Sequence, residues 1–337
     1  MNKHAFGIAA LFVATTGCGL SGLFARGASR VDLLGSQLIA GQSIGAVLTV
    51  GRLGTALVLF LVLAVATGKL CVFRVARPPI AVVAGGIMLG LALTLYQVAA
   101  LLTSLANAVF LIYTGPLFCI MLACLLRHER LSVAQCFSVA LVFAGMLLVS
   151  GIVDISQTGL SVGSFGSSGG QGTSVQGNIL GLLAGIFYGG SLYCNGCDKD
   201  LDPIVRGSWN FLFALAGSAL LALVLVGVWP LGTVNLQPVN VSYGIALCVV
   251  CGAVGCGALL VSARHLPTIE YTTLAYWECV VAAAASVIVF CEPLTMPLII
   301  GGILIVVGGV APVMLPHIMV MLPKTGKPSG AASAQGE

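Results

Sequence analysis

Ten stretches of about twenty mostly apolar residues follow one another along this chain, and they restrict its fold more than any other feature. A run of that length can cross the hydrocarbon core of a bilayer as a helix. A barrel is excluded because the runs do not alternate apolar with polar residues. The sequence therefore predicts an all-α integral membrane protein with ten transmembrane helices. The predicted spans are 5–25, 44–66, 80–101, 104–126, 133–152, 177–196, 207–228, 241–262, 269–290 and 295–316.

Composition excludes a soluble domain that carries a single membrane anchor. Hydrophobic residues make up 59% of the chain and charged residues 7%, against about 25% charged residues in soluble domains. The hydrophobic excess runs from one end of the chain to the other. The net charge of +4 is too small and too scattered to indicate nucleic-acid binding.

The first apolar run follows Lys3 and His4 and has the outline of a secretory signal. No small-x-small cleavage pattern closes that run, and nine more apolar segments follow it. We therefore interpret it as the first span, retained in the protein.

The basic residues indicate an orientation for the predicted spans. Eleven Lys and Arg residues fall on the side that holds the N-terminus, whereas Arg26 and Arg30 fall on the opposite side. Basic residues concentrate in cytoplasmic loops, so this bias predicts that both termini are cytoplasmic and that the protein lies in the plasma (inner) membrane.

A segment rich in Gly, Ser and Gln divides the predicted spans into two groups of five. An odd number of spans in each half forces the halves into opposite orientations, which is a common plan in secondary transporters. Glu129-Arg130-Leu131-Ser132 joins the last two spans of the first half, and Glu292-Pro293-Leu294-Thr295 joins the matching spans of the second. The chain is thus predicted to contain two inverted five-helix repeats. The predicted regions are a first repeat at 1–152, an extracytoplasmic flexible linker at 153–176, a second repeat at 177–316 and a cytoplasmic tail at 317–337.

Taken together, these motifs resemble the EamA-type branch of the drug/metabolite transporter superfamily, over roughly residues 5–316. The resemblance implies a ten-helix secondary carrier, commonly an exporter, with a central cavity between its halves. The sequence departs from the family at Cys279, where members often have Pro, and in residues 27–43, which exceed the usual first loop and whose role stays open. The resemblance is carried by Gly51-Arg52-Leu53, the run from Ala108 to Pro116, Glu129-Arg130-Leu131, Gln176-Gly177-Asn178, Glu278 and Glu292-Pro293-Leu294.

Two charged residues inside predicted spans are the first candidates for chemistry. Charges are expensive within a bilayer and often mark a transport pathway. Glu278 lies near the middle of the ninth span, where it is a candidate for proton coupling or for binding a substrate amine. A structural carboxyl paired with Arg52 is the open alternative. Arg52, in the second span, is a candidate charge partner or a residue that extends toward the membrane surface.

Polar and aromatic residues at helical spacing are candidates for the lining of a substrate cavity. In the ninth span, Tyr271 and Glu278 are predicted to share a helix face, with Tyr276 and Trp277 beside them. Each further candidate could equally form a structural hydrogen bond between helices. These further candidates are Gln97, Asn107, Tyr113, Tyr188 and Asn195.

Small residues and proline suggest how some predicted spans pack. Gly177, Gly181, Gly185 and Gly189 recur every four residues, which predicts a groove for close helix packing along the sixth span. Pro116 should kink the fourth span.

No pattern indicates a catalytic site, a metal or a cofactor. The Cys194–Cys197 and Cys248–Cys251 pairs have zinc-like spacing, but the second pair lies among valines. The four histidines lie at or beyond span ends, too far from membrane depth for a serine-histidine dyad. A nucleotide-binding P-loop is absent.

These features favour a transporter over an enzyme. The predicted function is alternating-access export of small metabolites such as amino acids, with a small-molecule substrate and the lipid bilayer as partners. A homodimer stays open. The alternatives are a membrane-embedded enzyme or lipid-handling protein on a similar scaffold, and a passive channel.

Overall fold

The structure of the protein is a computed structural model. Helices form nearly all of its described residues. The described residues are 3–29, 44–69, 78–128, 133–149, 153–156, 159–162, 175–197, 201–228, 238–266, 271, 274–292 and 295–321. The predicted Glu129–Ser132 connection and most of residues 27–43 lie outside them.

Among the described residues before position 153 there are seven helices. They are α1 (Lys3–Gly19), α2 (Ser21–Ser29), α3 (Ile44–Ala66), α4 (Ile80–Leu102), α5 (Leu105–Ile112), α6 (Gly115–Arg127) and α7 (Val133–Val149). α1 and α2 follow each other almost without a break, as do α5 and α6.

The described part of the second half contains six helices and a π-helical segment. They are α8 (Val175–Cys197), α9 (Pro203–Val228), α10 (Pro238–Ala246), the π-helical segment Leu247–Gly255, α11 (Cys256–His265), α12 (Trp277–Phe290) and α13 (Met296–Met321). α10, the π-helical segment and α11 form one continuous helical stretch.

Each of the ten predicted spans contains helix, and within the described ranges seven helical stretches are long and apolar enough to cross a membrane. Three further apolar helices among the described residues are shorter, at Cys136–Val149, Trp277–Phe290 and Met296–Gly308. Large apolar side chains also cover the outer surface: Ile80 is 88% exposed and Leu223 73%. Such a surface suits lipid rather than water, so the chain is a multi-pass helical membrane protein.

The predicted flexible linker contains a short hairpin, and this corrects the expectation of a purely helical chain. β1 (Val153–Ser156) pairs antiparallel with β2 (Gly159–Val162), with Val153 opposite Val162. Val and Ile favour strands, whereas the Gly/Ser-rich sequence that follows, residues 163–174, lies outside the described residues.

Two of the predicted spans are interrupted within the bundle. α5 ends at Ile112 and α6 begins at Gly115, with Pro116 in the first turn of α6, which confirms the predicted break near this proline. In the ninth span, Tyr276 forms a turn and α12 begins at Trp277. The spacing of Tyr271 and Glu278 predicts that they share one helix face, but the turn at Tyr276 interrupts that face.

α5 lies at the centre of the largest apolar cluster. Every residue from Leu105 to Ile112 is buried, as expected for a helix that is hydrophobic on all sides. Its neighbours come from both halves of the chain, since α4, α7, α8, α12 and α13 all contact it or share its cluster.

Glycines bring α8 close to α5 and α6. A methyl group added at Gly185 would lie 2.6 Å from the backbone oxygen of Leu111, and one added at Gly189 would lie 2.5 Å from that of Gly115. Only a residue without Cβ fits at such distances. The predicted packing groove is thus confirmed, and it faces the interrupted fourth span.

Helices of each half pack against helices of the other half. α4 packs against α8 and α9 from the second half. In the matching arrangement, the π-helical segment and α11 pack against α1 and α3 from the first half. α7 packs against α13, so the last helix of each half contacts the other.

Candidate functional site

Glu278 lies in the first turn of α12 and accepts a hydrogen bond from Tyr113. The Tyr113 hydroxyl is 2.8 Å from Glu278 Oε2 and 3.3 Å from the backbone oxygen of Ala275. The N-terminal turn of a helix carries partial positive charge, which favours a carboxylate there. The interruption of the ninth span thus provides a polar environment for an acid within an apolar bundle.

Tyrosines surround this carboxyl group. The rings of Tyr113 and Tyr276 are in contact, with centroids 5.3 Å apart. The Tyr276 hydroxyl is buried and has no hydrogen-bond partner among the described residues. Tyr188 packs directly on Gly115 and is close enough to Glu278 to interact with it electrostatically. Three predicted site residues are thereby brought together with Glu278.

Arg52 is buried, with 7% of its surface exposed. Its Nη2 lies 3.6 Å from Cys18 Sγ, and no ion pair joins it to Glu278 within 4.0 Å. The direct pairing considered from the sequence is therefore not formed.

A cavity of about 450 Å³ opens between α3, α8, α9 and α11. Asn195 and Tyr271, both predicted site residues, line it. Asn210 donates a hydrogen bond to Asn195 Oδ1 at 3.0 Å, and Asn195 donates one to Ser191 at 3.2 Å. Two other grooves, one lined by residues such as Phe118 and the other by Phe110, are almost wholly apolar, so they lack groups that would recognise a polar solute.

An ion pair lies at the same end of the bundle as this cavity. Lys69, after α3, donates to Asp202, before α9. Although partial burial alone would raise the pKa of Asp202, this hydrogen bond and backbone amides hold it below its usual value. The pair contributes stability above the unfolded pKa, and that contribution is lost as the pH falls through the folded one.

A polar cluster closes the opposite end of the bundle. Arg26 in α2 donates to Glu292 at 2.6 Å and to the backbone oxygens of Ala100 and Thr103 at 2.8 and 2.6 Å. Glu292 also accepts from the backbone nitrogen of Leu105 at 3.1 Å and from a serine hydroxyl of α12. We call these contacts the Arg26–Glu292 clamp, and they join α2, α4, α5 and α12.

Three predicted site residues have other partners. Asn107 donates to Asn178 at 3.0 Å, joining α5 to α8. Trp277 is 40% exposed and donates to Thr16 of α1 at 3.1 Å, since neighbouring residues on a helix point in different directions. Gln97 donates to the backbone oxygen of Ser21 at 3.0 Å, although its own side-chain oxygen is buried without a described partner.

Sequence reasoning missed the clamp and the cavity mouth. Arg26 was counted only as a loop charge and Glu292 only as part of a repeated motif. Arg206, Asn210 and Arg264 line the cavity, but nothing local distinguishes them from other residues at helix ends. What these residues share is their position around the cavity, which the sequence does not show.

Residues 175–311 match the model of the EamA-like transporter family. The chain contains an EamA-like transporter domain. That match includes Asn195, the cavity residues of α9 and α11, Glu278 and Glu292. The EamA-like family belongs to the drug/metabolite transporter superfamily and is a family of membrane transporters rather than of enzymes.

Other comparisons bear on the fold surrounding the EamA-like domain. A solved structure, described only as a crystal structure of a protein, is similar with a TM-score of 0.57 at 17% identity. The similarity covers 94% of this chain and 99% of the other. It therefore includes the first half as well, although at this identity it concerns the fold alone. No curated protein matches the sequence.

Proposed function

We propose that this protein is a secondary carrier that exports small metabolites, such as amino acids, by alternating access. The observation that carries the proposal is the asymmetry of the bundle: the Arg26–Glu292 clamp closes one end while a cavity opens at the other. Arg52 lies on α3, which lines the cavity, and Glu278 lies on α12, which contributes to the clamp. A carrier needs such a conformation and its mirror image in turn.

Ten crossings in two inverted repeats account for this arrangement. Tyr113 and Tyr276 have nearly the same backbone angles (φ −73° and −66°), and both lie at span interruptions. His128 and Cys291 end their helices with the same left-handed φ of 52°. Both pairs are separated by 163 positions. The matching packing of helices between the two halves supports the same symmetry. The repeats are residues 1–152 and 177–316, joined by residues 153–176.

The basic residues support an orientation for this conformation. Lys69, Arg206 and Arg264 all lie at the cavity end, and Arg26 lies at the clamped end. By the positive-inside rule the cavity faces the cytoplasm of the plasma (inner) membrane, with both termini on that side. An exporter in this conformation is ready to receive its substrate.

The proposed substrate contacts are the groups that converge near the cavity. Glu278 and Tyr113 form the polar centre, Tyr188 and Tyr276 contribute rings, and Arg52 contributes a charge. Asn195 and Tyr271 line the entrance. A passive channel is less well supported, because the clamp obstructs one end.

Uptake of a mixed metabolite panel into inside-out vesicles, with and without an imposed pH gradient, tests this function. Wild type should show saturable accumulation, and Glu278→Gln should abolish it. Asp202→Asn is the matched control, since it makes the same change at a surface acid and should transport normally. Saturable uptake that survives in Glu278→Gln would return Glu278 to a structural role. Uptake that never saturates would support a channel.

A further inference from the structure

Arg52 is a buried cation without a matching anion among the described residues. Its one hydrogen-bond contact there is Cys18 Sγ at 3.6 Å, and a thiol is a weak acceptor. A guanidinium has five N–H donors in a planar fork, so most of its bonding capacity is unused. A buried charge is costly unless it is paired, which indicates that a partner arrives from outside the protein.

Glu278 is the nearest candidate for an internal partner, and it is held elsewhere. Its Oε2 accepts from Tyr113 at 2.8 Å, and its backbone position in the first turn of α12 favours negative charge without help from Arg52. The fork of Arg52 therefore remains available to a bound molecule.

One wall of the cavity lies close to Arg52. A methyl group added at Gly255 would lie 3.2 Å from Cys18 Sγ, the atom that accepts the hydrogen bond of Arg52. The next residue, Cys256, lines the cavity. The Arg52 guanidinium is thus adjacent to the cavity's inner wall.

The lining of the cavity favours negatively charged solutes. Arg206 and Arg264 line it, and none of its described lining residues is acidic. A cleft with one sign of charge and low-dielectric walls concentrates molecules of the opposite charge. Anions are therefore attracted into the cavity whose wall lies beside Arg52.

We infer that the transported molecule carries a carboxylate, and that this carboxylate binds the Arg52 guanidinium after entering past Arg206 and Arg264. The inference rests on the proposed carrier function and narrows its substrate class. Guanidinium binds carboxylates and phosphates with two parallel hydrogen bonds. The buried site holds one cation, so a carboxylate matches its charge, whereas the second negative charge of a phosphate monoester would be left unpaired.

Matched ligand pairs measure this preference in the purified protein. The probes are glycine, alanine, leucine and phenylalanine, their amides, their N-acetyl forms and their N-acetyl amides. Phosphoethanolamine, which has no carboxylate, represents phosphate monoesters. Binding is read as ligand-dependent thermal stabilisation. For wild type we expect each amide to bind about tenfold or more weakly than its carboxylate, because a hydrogen-bonded charge is lost.

Three variants locate the preference. Arg52→Gln should bind each carboxylate and its amide equally, and Arg52→Lys should keep a weakened preference, since it retains the charge without the fork. Lys69→Gln is the control, because it removes a cation that is not among the residues lining the cavity; it should keep the full preference. If Arg52→Gln does not fold, the Arg52→Lys comparison decides.

The inference is overturned if amides or phosphoethanolamine bind as well as the carboxylates, if no carboxylate binds, or if Arg52→Gln keeps the preference. The vesicle uptake panel separates this failure from failure of the carrier. Saturable uptake confined to neutral or cationic metabolites would retain the carrier and refute the carboxylate. The absence of saturable uptake of every compound would refute the carrier itself.

Discussion

Glu278 lies where two influences favour a carboxyl group inside an apolar bundle. It lies in the first turn of α12, where a helix carries partial positive charge, and it accepts a hydrogen bond from Tyr113. Each influence comes from a different part of the chain. The Glu278 carboxyl group is therefore stabilised both by the start of its own helix and by a residue of the first half.

Removing the Tyr113 hydroxyl should impair transport more than folding. Tyr113→Phe keeps the ring contact with Tyr276 but leaves Glu278 without its donor. A hydrogen bond to a charged group contributes about 1.5–3 kcal/mol, so we expect roughly tenfold or greater loss of transport efficiency. Vesicle kinetics measure it. Tyr243→Phe, which removes a hydroxyl at a ring packed on Gly27, is the control and should transport normally. Equal losses in both variants would contradict the role of Tyr113.

At the scale of helices, contact between α8 and the interrupted fourth span depends on missing side chains. We expect Gly189→Ala to destabilise the protein by about 1–3 kcal/mol, because its methyl group would meet backbone atoms of α6 that cannot move aside. Gly196→Ala lies on the same helix, where an added methyl group meets nothing within 4 Å. It should be neutral or slightly stabilising, since alanine favours helix. Thermal unfolding in detergent compares the two, and equal stability would contradict the close packing.

The Arg26–Glu292 clamp joins four helix ends, so its loss should cost more than that of an ordinary surface ion pair. Side-chain exposure is 11% for Arg26 and 21% for Glu292. We expect Glu292→Gln to lower stability by about 1.5–3 kcal/mol. Asp202→Asn breaks the more exposed Lys69 pair and should cost about 1 kcal/mol or less. Thermal unfolding of both variants at neutral pH gives the ranking, and the reverse order would contradict the clamp.

At the scale of the whole molecule, one end of the bundle is clamped and the other contains the cavity. Helices of each half pack against helices of the other, so a movement of one half against the other would alter both ends together. Opening of the clamped end is therefore expected to accompany closure of the cavity.

Cys256 reports which side the cavity faces. It lines the cavity, so a membrane-impermeant maleimide should modify it faster in inside-out vesicles than in right-side-out vesicles. Mass spectrometry of the peptide that contains Cys256 separates it from the other cysteines, and Cys256→Ser is the control for peptide assignment. Faster modification in right-side-out vesicles would reverse the proposed orientation.

Several features were predictable because they depend on residues close together in the chain. Apolar runs located the helices, Pro116 located a break, and glycines every four residues located a packing face. The family resemblance agrees with the match over residues 175–311. Glu278 was recognisable because an acid within an apolar run is conspicuous by itself.

The contacts of the site were not predictable in the same way. Asn107 and Tyr113 lie in the same apolar run and have similar polarity, yet one joins α8 and the other binds Glu278. Their partners lie 71 and 165 residues away. The sequence by itself determined that the chain is helical, embedded in a membrane and sparingly charged, because hydrophobicity and helical spacing act locally. Only the tertiary structure decided that Arg26 meets Glu292 while Arg52 does not meet Glu278, because such pairings depend on how distant helices pack.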